Sequence, residues 1–129
     1  MKKYTFLLHL TFFFLLLSSC STISNKRISI TKIDSIHNYY LIYASKDGNI
    51  YKIVSQKVQK SEYVKKIATG GKYRFEVSPI IDKSSRFAPV NYLDVKCLAF
   101  TDSTKICIED GCLPNLYYSN DIEGLYTNK

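Results

Sequence analysis

Apolar and polar residues alternate in short runs along most of this chain, which is the period of strands with one buried face, and no long segment after residue 35 keeps helical spacing. Ile36 to Ala44 is rich in Tyr, Ile and Leu, and Ile50 to Val58 follows after Lys46-Asp47-Gly48-Asn49. Asp-Gly between two such runs predicts a tight hairpin, because both central residues of the favoured turn need positive φ. Pairing outward from that turn sets Ile42 opposite Ile53 and Ala44 opposite Tyr51. Residues 59–71 are mixed: Ser61, Val64, Ile67 and Ala68 fit one short helix ending at Gly70, and a loop or irregular strand fits equally well. Tyr73, Phe75 and Val77 then alternate with Lys72, Arg74 and Glu76, a half-buried strand that Pro79 ends. Residues 79–91, with two prolines and a serine pair, read as a long loop.

A second hairpin follows. Its first strand runs from Tyr92 to Phe100, with Val95, Cys97 and Ala99 on the apolar face. Thr101 to Thr104 forms the turn, and Ile106 and Ile108 then alternate with Lys105, Cys107 and Glu109. Leu116-Tyr117-Tyr118 adds a short strand, and Asn120 to Glu123 fits a single helical turn stopped by Gly124. These elements predict an all-β domain, a small five- or six-stranded barrel. The order of two paired strands, a third, a long connection and a closing hairpin resembles an OB-fold; a small β-sandwich is the alternative. The expected core is Ile42, Ile53, Phe75, Val77, Val95, Ile106 and Ile108.

The beginning of the chain has a different pattern. Met1-Lys2-Lys3 is a positive start, and Phe6 to Leu17 is apolar apart from His9 and Thr11. That run is short of the roughly 20 residues that span a bilayer, and with small residues after it, it has the form of a secretory leader. It ends Leu17-Ser18-Ser19-Cys20, which resembles the lipobox of bacterial lipoproteins: an aliphatic residue, two small residues and the cysteine. The resemblance implies a diacylglycerol thioether on Cys20, cleavage before that residue and acylation of the new amino terminus. More than one acyl chain is what stable anchoring requires, at about 0.8 kcal/mol per buried CH₂. The lipid on Cys20 is the only attached group expected, with no cofactor. Ser21, in place of the aspartate that signals inner-membrane retention in that family, points to the outer membrane, on its periplasmic side. The stretch Asn91-Tyr92-Leu93-Asp94-Val95 and the Lys-, Ile-, Asn- and Tyr-rich usage are similar to those of small lipoproteins of Bacteroidota. The expected organisation is a leader over 1–19, a lipidated Cys20 with polar tether over 20–34, and one β domain over 35–129.

The whole sequence carries eighteen Lys and Arg against eleven Asp and Glu, a net charge of +7, and loss of Lys2 and Lys3 with the leader leaves +5. The cations concentrate in Lys52, Lys57, Lys60, Lys65, Lys66, Lys72 and Arg74, with Glu62 among them. Such a face can meet anionic lipid, acidic glycan or nucleic acid; the plainer expectation is a solvated surface that adds little to stability.

The residues offer little for catalysis or metal binding. His37, with Asp34 three residues before it, is the one histidine left after cleavage, and it reads as a turn or surface residue rather than a member of a triad. No CxxC pair exists to build a zinc site with Cys97, Cys107 and Cys112, and no metal is expected. Gly70-Gly71-Lys72 lacks the spacing and the following helix of a phosphate loop. Tyr51 beside Lys52 and Tyr73 beside Arg74 fit base or sugar stacking, and fit equally a core face backed by solvated charges. Three cysteines remain once Cys20 is lipidated, so one is left over. With Cys97 placed on the apolar face, the expected disulfide is Cys107–Cys112, across a loop wider than a two-residue turn; a bond from Cys97 would mean that the strand faces the other way.

These observations point to a non-enzymatic binding module. It is anchored in the membrane through its lipid and presents its surface to an envelope protein or glycan, with nucleic acid the least favoured partner. The alternative is an inhibitor or immunity lipoprotein that blocks an enzyme or toxin, and a hydrolase built on His37 is a third reading.

Overall fold

A computed structural model describes residues 27–81 and 95–129, and over these the chain is all β with no helix. The leader, Cys20 and the segment Asn91 to Asp94 lie outside the described residues. The framework is a three-strand meander. β1 (Ile28–Ile36) turns at His37 and Asn38 into β2 (Tyr39–Lys46), and β2 turns at Asp47 and Gly48 into β3 (Asn49–Gln56). Ile42 pairs with Ile53 and Ala44 with Tyr51, as the turn chemistry predicted. Asp47 and Gly48 sit at φ 53° and 78°, the left-handed conformation that both central residues of this hairpin type adopt.

The sheet grows outward from the meander. β9 (Tyr117–Tyr118) lies parallel to β3, and β6 (Ser78–Pro79) lies antiparallel to β9. On the other side, β5 (Lys72–Tyr73) pairs with the start of β1. The result is a six-stranded sheet in the order β5-β1-β2-β3-β9-β6, curled into a half-barrel and left open between β5 and β6. A three-stranded sheet is built from β10 (Ile122–Glu123), β11 (Tyr126–Thr127) and β4 (Lys65–Lys66), and the hairpin of β7 (Cys97–Ala99) and β8 (Lys105–Cys107) stands as a third, separate sheet.

β2 explains why its sequence reads as a nearly continuous apolar run. Its two faces serve two cores, and a strand covered on both sides has no polar face to show. Ile42 and Ala44 pack with Ile28, Ile30, Ile53, Ile67, Tyr73 and Phe75. Tyr39, Leu41 and Tyr43 pack on the other face with Val54, Ile106 and Leu116, with the hairpin residues Leu98, Phe100 and Ile108 against them. Of the expected core, Ile42, Ile53, Phe75 and Ile106 are buried; Val77 and Ile108 pack at the margins, and Val95 is half-buried.

Several expectations need correction. The sheet begins at Ile28, inside the segment 20–34 read as tether, and Ile28 and Ile30 are each 1% exposed. Ile28 and Ile30 alternate with polar residues too briefly to stand out from a tether. Neither short helix forms. Residues 65–66 are a strand, and Gly124 turns β10 into β11 as a hairpin. The alternation from Tyr73 to Val77 is real, with Tyr73 and Phe75 buried, but the ladder stops at Tyr73. The predicted second hairpin exists, closed by Phe100 N–H donating to Thr104 O at 2.9 Å, but the facing of its first strand is reversed and it stays out of the main sheet. Leu98 and Ile106 point to the core, so Cys97, Ala99, Lys105 and Cys107 point away from it. Cys97 and Cys107 are therefore cross-strand partners on one outward face, and they form the disulfide. The expected Cys107–Cys112 bridge is not present. Among the described residues Cys112 is the free thiol, half-buried against the second core.

Candidate functional site

The densest polar cluster lies between the β7–β8 hairpin and the sheet. Lys52 stands on β3 opposite Tyr43 of β2, on the sheet face that the hairpin covers. Ile50 and Val54, two residues to either side, belong to that same core, so an ammonium group here is surrounded by apolar packing. Its residue is 3% exposed. A buried charge needs a counter-charge and hydrogen-bond acceptors, and the hairpin supplies both. Lys52 Nζ donates to Cys107 O at 2.8 Å and ion-pairs with Glu109 Oε1. Tyr43 OH donates to that same carboxylate oxygen at 2.6 Å.

Two cations approach the Tyr43 ring. Lys32 Nζ is 5.0 Å from its centroid and Lys52 Nζ is 5.6 Å away, within reach of a cation–π attraction. The Lys52 ammonium and the Tyr43 hydroxyl hold the Glu109 carboxyl below its ordinary range. Burial, then the hydrogen bond to Glu109, pushes the Tyr43 hydroxyl well above its own, so it remains a donor. Burial first, and Glu109 second, also raises the Cys112 thiol. Nucleophilic cysteines have the opposite shift.

A second set of contacts ties the hairpin tip to the β1–β2 turn. His37 Nδ1 lies 3.0 Å from Thr104 Oγ1, Asn38 Nδ2 donates to Asp102 Oδ2 at 3.2 Å, and Tyr39 OH lies 3.2 Å from Thr101 Oγ1. Asp102 also accepts from Thr104 N–H at 2.9 Å, and its hydrogen bonds with Thr104 lower its carboxyl. Asp34 is not part of this set. It pairs with Lys32 at 3.2 Å and accepts from Ser35 N–H, so the His37 and Asp34 that stand near one another in sequence have separate partners.

These arrangements bind one element to another. Tyr43, Lys52 and Glu109 satisfy one another, and His37 Nδ1 meets Thr104 of the hairpin tip. Among the described residues, no group of three or more His, Cys, Asp or Glu side chains is placed to hold a metal ion. Tyr51 meets Tyr117 edge-on at 4.9 Å, and Tyr73 stacks loosely on Phe75 at 6.5 Å; both belong to the first core rather than to a stacking platform.

The basic run separates into two kinds of residue. Lys52 is buried and paired, against the expectation of a solvated side chain. Lys60, Lys65, Lys66, Lys72 and Arg74 are exposed as expected, and Lys57 is half-buried over the Tyr40 ring at 5.2 Å. The sequence held a signal for Lys52, since Ile50, Lys52 and Val54 share one face of a strand. Nothing local pointed to Glu109, fifty-seven residues away.

No protein-family model, no curated protein and no solved structure matches this chain.

Proposed function

We propose that the chain is an envelope lipoprotein, held by lipid on Cys20 at the periplasmic side of the outer membrane, and that its β domain is a non-enzymatic binding module for an envelope protein or glycan. The observation that carries this reading is Leu17-Ser18-Ser19-Cys20 at the end of a short apolar run, followed by a sheet that starts at Ile28. Only Ser21 to Arg27 then separate the anchor from the fold. The non-enzymatic part draws support from the polar cluster, whose tyrosine, lysine and glutamate are engaged with one another and whose nearby thiol is raised.

The reading is tested in two steps. Wild-type protein is expected in the detergent phase on phase partition, and Cys20→Ser protein in the aqueous phase or retained as uncut precursor; Cys20→Ser protein that is processed and still partitions as an acylated species removes the anchor. Solubilised wild-type protein captured from its native envelope under mild cross-linking should bring down a defined partner, and His37→Ala should bring down the same one. A turnover activity that His37→Ala abolishes would replace the binding module with an enzyme.

A further inference from the structure

Five exposed cations with no ion-pair partner among the described residues are gathered at one end of the sheet. Ile28 pairs with Tyr73 and Ser29 with Lys72, so Arg27 and Arg74 are the next residues out from the same pair. Lys65 Nζ sits 5.1 Å from the Tyr73 ring centroid, and Tyr73 OH donates to Lys66 O at 3.1 Å, which brings β4 to the same place. Arg27, Lys65, Lys66, Lys72 and Arg74 are all exposed, and none makes an ion pair among the described residues. Two nearby carboxylates are engaged elsewhere. Asp121 holds Lys129 at 2.7 Å, and Glu123 accepts from Ser61 OH and Glu62 N–H. Glu76, exposed and two residues past Arg74, offsets one of the five charges.

This end also holds Arg27, the first of the described residues. Arg27 is seven residues after Cys20, and a tether of that length reaches at most about 25 Å when fully extended. The other end of β1 is far from it, capped by the His37–Asn38 turn and the hairpin tip with Asp102. An anchor at Cys20 therefore holds the basic end next to its own leaflet at high effective concentration, within range of a surface whose field decays over about 8 Å at physiological salt.

We propose that the surface carrying Arg27, Lys65, Lys66, Lys72 and Arg74 lies against the anionic phospholipid headgroups of the leaflet that holds the anchor, so that the far end, with the β1–β2 turn and the hairpin tip, faces outward to a partner. This rests on the lipid-anchor reading above. Charge complementarity selects the occupant: five neighbouring cations with no ion-pair partner among the described residues match a plane of phosphates, and each basic residue near such a surface adds about a fivefold preference for it.

The test uses the processed, lipidated protein reconstituted into two kinds of vesicle, phosphatidylcholine alone and phosphatidylcholine mixed with phosphatidylglycerol. A membrane-impermeant amine-acylating reagent is applied, and labelling of each lysine is read by peptide mass spectrometry. Lys65, Lys66 and Lys72 should label at least about fivefold more slowly on the anionic vesicles than on the neutral ones, and high salt should remove the difference. Lys105, on the outward face of β8, should label equally on both. In Lys65→Gln/Lys66→Gln protein, protection of Lys72 should weaken. Equal labelling of the three lysines on both vesicles overturns the proposal, as does protection by a soluble acidic polysaccharide without protection by vesicles. Flotation of the same samples keeps the two readings apart. Protein that fails to float with neutral vesicles removes the anchor, and the basic face is still judged by labelling on the anionic ones.

Discussion

At the scale of the residue, Lys52 has the most to say about stability. Its side chain is 4% exposed and that of its partner Glu109 is 49% exposed, so the two halves of the ion pair are unequal. Glu109→Ala leaves an ammonium buried with the Cys107 carbonyl as its remaining acceptor, and should cost about 3 kcal/mol. Lys52→Met keeps the stem in the core and leaves a carboxylate that can turn to water, and should cost on the order of 1–2 kcal/mol. Denaturant unfolding of the two variants checks the order, and a larger loss for Lys52→Met would mean that the apolar packing of the stem outweighs the pairing. The pH dependence follows from the lowered Glu109 carboxyl. A group whose folded pKa lies below its unfolded one stabilises fully above the unfolded value and loses that contribution as pH falls through the folded one. Stability should therefore drop in acid below about pH 4.5, the ordinary glutamate value. Lys52→Met should flatten that drop, and identical acid profiles would show that Glu109 is not a source of it. The half-open position of Glu109 keeps the effect small.

At the scale of the element, tight turns were legible and facing was not. Asp47-Gly48 set the register of β2 and β3 because its backbone demand is local. Gly48→Val should cost about 1 kcal/mol, since no atom lies within 4 Å of a Cβ placed there and only the positive φ opposes it. Thermal melts will show it, and a loss several times larger would point to a contact beyond the turn. The β7–β8 hairpin is the opposite case. Both faces of its first strand carry small or apolar residues, Val95, Cys97 and Ala99 against Leu98 and Phe100, so a one-residue choice decides which face is buried. The second core decides it, through Leu98 and Ile106 against Tyr39 and Leu41. That inversion moves the disulfide to Cys97–Cys107. Non-reducing peptide mapping should find this bond and a single alkylatable thiol at Cys112, whereas a Cys107–Cys112 peptide would restore the other facing. Because the bridge closes only a ten-residue separation, its removal in Cys97→Ser/Cys107→Ser protein should cost about 2–3 kcal/mol.

At the scale of the whole molecule, the all-β class was readable because short apolar and polar alternation recurs after residue 35 as far as the hairpin. The short strands of the edges were not, since two-residue ladders such as β4, β5 and β10 carry no periodic signal. The partners of the sheet are long-range: β9 joins β3 across sixty residues of chain, through one register pair between Ile53 and Tyr117. Ile53 is fully buried at the centre of the first core, so Ile53→Ala should cost about 3 kcal/mol. An unfolding midpoint like that of the wild type would mean the meander does not bear on that core.

The candidate site was legible only in part. His37 stands in a turn, as its place beside a strand suggested, but the Tyr43–Lys52–Glu109 cluster depends on how the hairpin docks, which no local pattern encodes. The reading of the molecule as an anchored binding module rests on Cys20, and the most direct measurement is the mass of the amino-terminal peptide of the protein isolated from its native envelope. A peptide that begins at Cys20 and carries a diacylglycerol thioether with an acylated amino group is the predicted result. A peptide that begins elsewhere, or an unmodified thiol at Cys20, would contradict the account.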